Sequence, residues 1–150
     1  MNRPDWDEYF LDIALSVGRR ATCLRRKYGA IIVKDHVIVS SGYNGSPRGE
    51  ANCIDTGVCE RERLKVPKGE RYELCVAVHA EQNAIINAAP DQMLGATIYV
   101  AGVNVADGST ASGEPCKLCR RMIKNARIAR VVYRNADGEI QIKTPGEITD

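Results

Sequence analysis

The chain has 150 residues, with 21 Lys and Arg against 19 Asp and Glu for a formal charge of +2; 44% of its residues are hydrophobic and 27% charged. These values fit one globular domain with a core of its own and exclude wholesale disorder. The near balance of charge and the 5% aromatic content argue against a dedicated nucleic-acid binder or a base-stacking platform.

The spacing predicts a first helix. Trp6, Tyr9, Phe10, Ile13, Ala14 and Val17 fall on one apolar stripe and are expected in the core. Pro4, Asp5, Asp7 and Glu8 suit its start, Arg19 and Arg20 its end. Two β-branched runs, 30–33 and 37–40, flank Lys34-Asp35-His36 and read as a hairpin, with His36 a solvated turn residue. The breakers of Gly42-Tyr43-Asn44-Gly45-Ser46-Pro47 end the second strand. Residues 46–74 form a long polar loop with two cysteines, a length that tends to be functional or metal-organised. A short apolar run at 75–78 leads into an Ala-rich helix over 79–89 that Pro90 ends. Then follow a strand at 97–100, a turn-rich stretch at 102–113 and a helix over 116–126 with Leu118, Met122, Ile123 and Ala126 inward. Strands at 130–133 and 140–142 close the chain. The order α-ββ-α-β-α-β fits helices packed around a mixed sheet in a single domain, 1–150, with a cysteine-bearing insertion at about 46–74.

No stretch approaches the roughly 18 consecutive apolar residues of a membrane span. The opening residues also lack the apolar core of an export signal, so a cytoplasmic location is expected. There, cysteines at 23, 53, 59, 75, 116 and 119 point to metal binding or catalysis before disulfides.

Two motifs carry chemistry: His79-Ala80-Glu81 and Pro115-Cys116-Lys117-Leu118-Cys119. Each opens a predicted helix, where unpaired backbone N–H groups and the helix dipole favour a thiolate. His79, Cys116 and Cys119 offer three N/S ligands, which leaves the fourth position of a tetrahedral zinc open, as in a catalytic site. Water on such a zinc ionises near pH ~7. Glu81 is placed to shuttle its proton. Taken alone, Cys-x-x-Cys also fits a redox pair or half of a closed zinc ribbon, and His-x-Glu arises by chance. Their conjunction at two helix starts is specific, because His-x-Glu with Pro-Cys-x-x-Cys is the signature of zinc nucleobase deaminases.

On these motifs, the chain resembles the cytidine and deoxycytidylate deaminase family, and within it the deoxycytidylate (dCMP) deaminases. The resemblance runs from Trp6-Asp7-Glu8-Tyr9-Phe10 through Gly29-Ala30-Ile31-Ile32-Val33, the Gly-Tyr-Asn-Gly loop and His79-Ala80-Glu81-Gln82-Asn83-Ala84-Ile85 to the Pro-Cys-x-x-Cys helix. It implies a three-layer α/β/α sandwich with a mixed sheet of about five strands. It also implies hydrolysis of dCMP to dUMP and ammonia by a zinc-bound hydroxide, with Glu81 protonating N3 and then the amine. By the same resemblance Asn44 holds the sugar hydroxyl, and the backbone around Val78 and Ala80 seats the base. Arg26 or Lys27 is expected at the phosphate, which suits the forked donors of Arg. Some family members carry a structural zinc near the insertion. Cys23, Cys53, Cys59 and Cys75 are its candidate ligands here, against the reading of four independent thiols.

The resemblance further implies a homo-oligomer, usually a hexamer in the family, and dCTP and dTTP as allosteric effectors. Pro90 argues against that control, because it ends the first zinc helix near the region where some members place regulatory contacts. The segment 101–113 is longer than usual and is expected to bulge as a loop at the rim of the site. A basic cluster at Lys117, Arg120, Arg121, Lys124, Arg127 and Arg130, with no acid between 115 and 136, keeps a tRNA adenosine deaminase as an alternative. The acidic tail from 137 to 150 is expected to cover or balance that face. Deaminases of dCTP or of free cytidine or deoxycytidine, and a noncatalytic nucleotide-binding zinc module, are the other readings; Glu81 speaks against the last.

Overall fold

Helix α1 (Trp6–Gly18) starts where the Asp5 carboxylate accepts the Glu8 N–H at 2.8 Å. It buries Phe10, Leu11, Ala14 and Gly18. The expected stripe is therefore rotated: Trp6 and Tyr9 are exposed. Trp6 instead stacks on the ring of His36, centroids 4.1 Å apart. These elements belong to a computed structural model that describes residues 2–148. Strands β1 (Arg26–Lys34) and β2 (Val37–Tyr43) form the predicted hairpin. Its turn is the pair Asp35-His36, both at positive φ, the conformation whose twist matches the flanking strands.

The insertion is less irregular than its composition suggests. It holds two one-turn helices, α2 (Cys53–Thr56) and α3 (Glu60–Arg63), and a 3-10 turn at Tyr72–Leu74. Its ends meet in a bridge between Gly45 and Val78, whose N–H and C=O groups pair in both directions at 3.1 and 2.7 Å. Helix α4 (Ala80–Ile86) stops at Asn87, before the expected end at 89. Pro90 does not terminate it; it opens a separate helix, α5 (Pro90–Met93), in the first-turn position where its missing N–H costs nothing.

Strand β3 (Thr97–Asn104) runs four residues beyond the expected 97–100. The low end of β1 supplies partners for the extension, with Arg26 opposite Asn104. The stretch expected to bulge from 101 to 113 is consequently a hairpin, closed by β4 (Thr110–Ala111) on β3. Helix α6 (Lys117–Asn125), β5 (Arg130–Arg134) and β6 (Ile140–Lys143) complete the chain. In α6, Cys119 and Ile123 point inward, whereas Leu118, expected on the inner face, is 38% exposed.

The sheet order is β2-β1-β3-β5-β6, with β4 beside β3; β1 is antiparallel to β2 and β3, and β3 is parallel to β5. Strand alternation divides the core in two. Ala30, Ile32, Ile98, Val100, Val131 and Tyr133 face α4, α5 and α6. Ile31, Val33, Tyr99, Ala101 and Val132 face α1. This is the expected α/β three-layer sandwich, with six strands. Gly42 lets α4 approach: a Cβ there would sit 2.4 Å from the Ala84 nitrogen.

The same alternation splits the basic run near the C-terminus. Arg130 projects to the α1 side and pairs with Asp7 at 3.0 Å, away from the face of α6. The tail meets α6 with an apolar residue, Ile148, that joins the core.

Candidate active site

Because β2 and β3 are both antiparallel to β1, the ends of β2 and β3 and the start of β1 share one edge of the sheet. Helices α4 and α6 begin at that edge, and their N-cap residues are His79 and Cys116. Gln82 secures the first cap by accepting the His79 N–H at 2.8 Å. His79 Nδ1 lies 3.2 Å from Cys119 Sγ and 3.6 Å from Cys116 Sγ. Among the described residues this is the one group of three or more His, Cys, Asp or Glu ligand atoms within 4.8 Å of one another. The three predicted ligands thus come together, on two helices 37 residues apart in sequence. Two sulphurs and an imidazole nitrogen suit zinc, with a fourth position left for water or substrate.

Protons are unevenly shared among these groups. The hydrogen bond from Cys119 lowers the pKa of Cys116 to about 4, with His79 helping and burial opposing. Cys119 is pushed up in turn, by donating to Cys116 and by burial. His79 is raised chiefly by its hydrogen bond to Cys116. The protons on His79 and Cys119 are those a metal displaces on binding. Glu81, in the first turn of α4, is 7% exposed, and burial pushes its carboxyl up. A carboxyl held toward its neutral form between metal ligands and a cavity is suited to carrying a proton.

The other predicted residues divide. Asn44 is buried and lines the cavity beside Glu81. Its side chain is partly committed, since Oδ1 accepts the Tyr28 N–H at 2.8 Å and Nδ2 donates to the Arg26 carbonyl at 3.0 Å. Those bonds continue the β1 ladder where β2 stops. Ala80 lines the cavity as expected. Val78 does not: its N–H and C=O are both spent on Gly45 in the bridge that closes the insertion. Arg26 and Tyr28 lie on the cavity face of β1, together with Arg25 just before it. Lys27, one residue out of phase, is not among the lining residues, because alternation turns it to the α1 face.

Cys23, Cys59 and Cys75 line the same cavity, and Cys53 is buried nearby. Burial raises the pKa of Cys53 first, and the neighbouring thiols of Cys23, Cys75 and Cys59 raise it further. The Arg25 N–H donates to Cys23 Sγ at 3.3 Å, and Ala77 makes the equivalent bond to Cys75. Nevertheless, no three of the four sulphurs lie within 4.8 Å of one another. They sit on separate pieces of irregular chain that no strand holds in register.

Sequence reasoning missed Arg61, Tyr72 and Gly113 as cavity residues. Gly113 has a spatial reason to be glycine: a Cβ would meet the Val100 carbonyl oxygen at 2.4 Å. No pattern in the sequence signals Arg61 or Tyr72, which reach the site only through the fold of the insertion.

Residues 4–135 match the family model described as the cytidine and deoxycytidylate deaminase zinc-binding region. Deoxycytidylate deaminase of Mycobacterium phage D29 is 43% identical over 139 residues, 89% of this chain and 97% of that one. Deoxycytidylate deaminase of Schizosaccharomyces pombe is 31% identical over 134 residues, 89% of this chain but 38% of that longer protein. A crystal structure of dCMP deaminase from the cyanophage S-TIM5, in complex with dCMP and dUMP, is similar with a TM-score of 0.61 at 27% identity, covering 90% of this chain and 85% of the other. The chain belongs to the cytidine and deoxycytidylate deaminase family, a family of zinc-binding deaminases.

Proposed function

We propose that this protein hydrolyses dCMP to dUMP and ammonia, with His79, Cys116 and Cys119 as the zinc ligands and Glu81 as the proton carrier. The observation that carries this reading is the convergence of those three ligands beside a buried carboxyl, in a cavity that also presents Arg25, Arg26 and Arg61 to an anionic substrate. The relatives named as deoxycytidylate deaminases, and the similar structure holding dCMP and dUMP, support the choice of substrate.

Zinc bound there supplies Lewis acidity and a water acidic enough to be deprotonated at neutral pH. Glu81 takes a proton from the water that adds at C4 of the ring and gives it to N3. It then takes the proton of the new C4 hydroxyl and delivers it to the amine; the C4–N bond breaks, C4=O forms and ammonia leaves, so the balance is dCMP plus water to dUMP plus ammonia. Burial serves this role by keeping the carboxyl's affinity for protons high enough to accept and return one. Asn44 retains one N–H and one lone pair for the sugar, and its two backbone bonds hold it in place. Tyr72 meets the His79 ring edge-on at 5.8 Å and restricts the orientation of that ligand.

Steady-state ammonia release across dCMP, dCTP, deoxycytidine, cytidine and a tRNA anticodon stem tests the reading. Turnover of dCMP above the others supports it; turnover of tRNA and none of dCMP overturns it. Cys23, Cys53, Cys59 and Cys75 are further proposed to hold a second zinc that pins the insertion, supported by the electrostatic influence of the other three thiols on Cys53 and by the N–H bonds to Cys23 and Cys75. Metal analysis should then find two zinc ions per parent chain and one in Cys53→Ser; a single ion in the parent rejects the second site. The six free thiols suit a reducing, cytoplasmic setting. Exposed apolar residues such as Ile86 and Leu94 support self-association.

A further inference from the structure

Between residues 46 and 78 only two residues are buried, Cys53 and Arg61. Arg61 is 7% exposed. Removing a guanidinium from water is costly unless an opposite charge goes with it. Among the described residues Arg61 has no carboxylate partner. Its hydrogen bonds run from Nη2 to the carbonyl oxygens of Pro67, at 3.0 Å, and Glu70, at 2.9 Å. A guanidinium has five N–H donors. Nε is buried with no acceptor, and Nη1 makes no hydrogen bond either.

The side chain is held in place by more than those two carbonyls. Its Cζ lies 5.0 Å over the ring of Tyr72, the residue whose edge touches His79. Arg61 therefore stands one aromatic ring away from a metal ligand, on the wall of the same cavity. The other two arginines of that cavity are engaged: Arg25 Nε pairs with Glu62 at 3.1 Å, and Arg26 Nε donates to Asn104 at 3.3 Å. Asn104 is neutral, so among the described residues Arg26 too lacks a carboxylate; Arg61 differs in being buried and in carrying an Nε with no acceptor.

We infer that Arg61 binds the phosphate of the nucleotide substrate, and so makes the site select a nucleoside monophosphate over the free nucleoside. The inference rests on the dCMP reading and assigns its phosphate to the insertion instead of to the start of β1. A rigid, desolvated guanidinium with donors to spare matches phosphate oxygens. The competing use of the charge is to offset the sulphurs of Cys59 and Cys75, which share the wall. That role would stabilise the insertion without discriminating between substrates.

The test compares dCMP with deoxycytidine in the zinc-loaded full chain, as parent and as Arg61→Gln. The variant is expected to raise KM for dCMP about 10- to 100-fold, the loss of a hydrogen-bonded charge contact. Its kcat should change little and its kcat/KM for deoxycytidine should hold, so the preference for dCMP falls by the same factor. Inorganic phosphate should compete with dCMP in the parent and lose that ability in the variant. Equal losses on both substrates, or an unchanged preference, overturn the assignment. A parent that turns over deoxycytidine as well as dCMP overturns the substrate reading, and the assignment with it. Should Arg61→Gln fail to fold, Arg61→Lys carries the test. Its compact ammonium lacks the fork, so the preference should fall at least about threefold, and an unchanged preference again overturns the assignment.

Discussion

His79 and Cys116 stand on helices that enter the core through Ala80, Ala84, Cys119 and Ile123, whereas the wall facing them, residues 46–78, buries only Cys53 and Arg61. The first half of the cavity is positioned by apolar packing and by strand register. The second is held by side chain-to-carbonyl bonds, short helices and thiols, while its larger apolar residues, Ile54, Val58 and Leu64, remain exposed. The contrast separates the two halves: the candidate groups for holding an ion and moving a proton sit on the packed half, and the wall opposite them is the half free to vary.

Perturbing each half should give effects of different size and kind. Glu81→Gln should lower dCMP turnover by about 10²- to 10⁴-fold while zinc content, measured by metal analysis, stays at the parent level; a variant with parent-like turnover breaks the proton-carrier role. In the core beneath the ligands, Ile123→Ala should cost about 2–5 kcal/mol of unfolding free energy in a denaturant titration. Glu81→Gln should also stabilise the metal-free protein near pH 7. The folded-state pKa of Glu81 is raised above its unfolded value of roughly 4.3. Its contribution to stability is therefore complete below that pH and is lost as pH rises through the folded value. Glutamine does not ionise and escapes the loss, so the advantage should vanish in unfolding curves recorded below about pH 4. A constant advantage at all pH values would mean that packing, not ionisation, is responsible. The smallest effect belongs to the wall: Leu64→Ala should change unfolding free energy by no more than about 0.5 kcal/mol, and a loss as large as that of Ile123→Ala would erase the distinction between the halves.

Legibility followed the same division. The ligand set was readable because each motif opens a helix, and a helix start fixes the direction of its first side chains. Asn44 and Ala80 were reached through the resemblance and do line the cavity. Lys27 and Val78 were misplaced for backbone reasons. One sits a single residue out of phase on a strand whose lower end was not foreseen, and the other is used up by a bridge to Gly45. The same unforeseen pairing turned the supposed loop after Val100 into a hairpin. Leu118 was expected inward by hydrophobicity, yet Cys119 takes the inner position, next to His79, and Leu118 is left exposed. Arg61 was invisible: a Glu-Arg-Glu-Arg run reads as a solvated helix face, and only the fold of the insertion buries one of its arginines.

The bridge between Gly45 and Val78 has an evolutionary consequence. By pinning both ends of the insertion side by side, it makes the intervening chain a closed excursion whose length the sandwich scarcely senses. The entropy of closing a flexible loop grows only logarithmically, by about 0.6 kcal/mol for each doubling of length. Segments of very different size can therefore be exchanged above an unchanged pair of helix starts. The clasp therefore lets the wall change in length and sequence while α4 and α6 keep their places on the sheet.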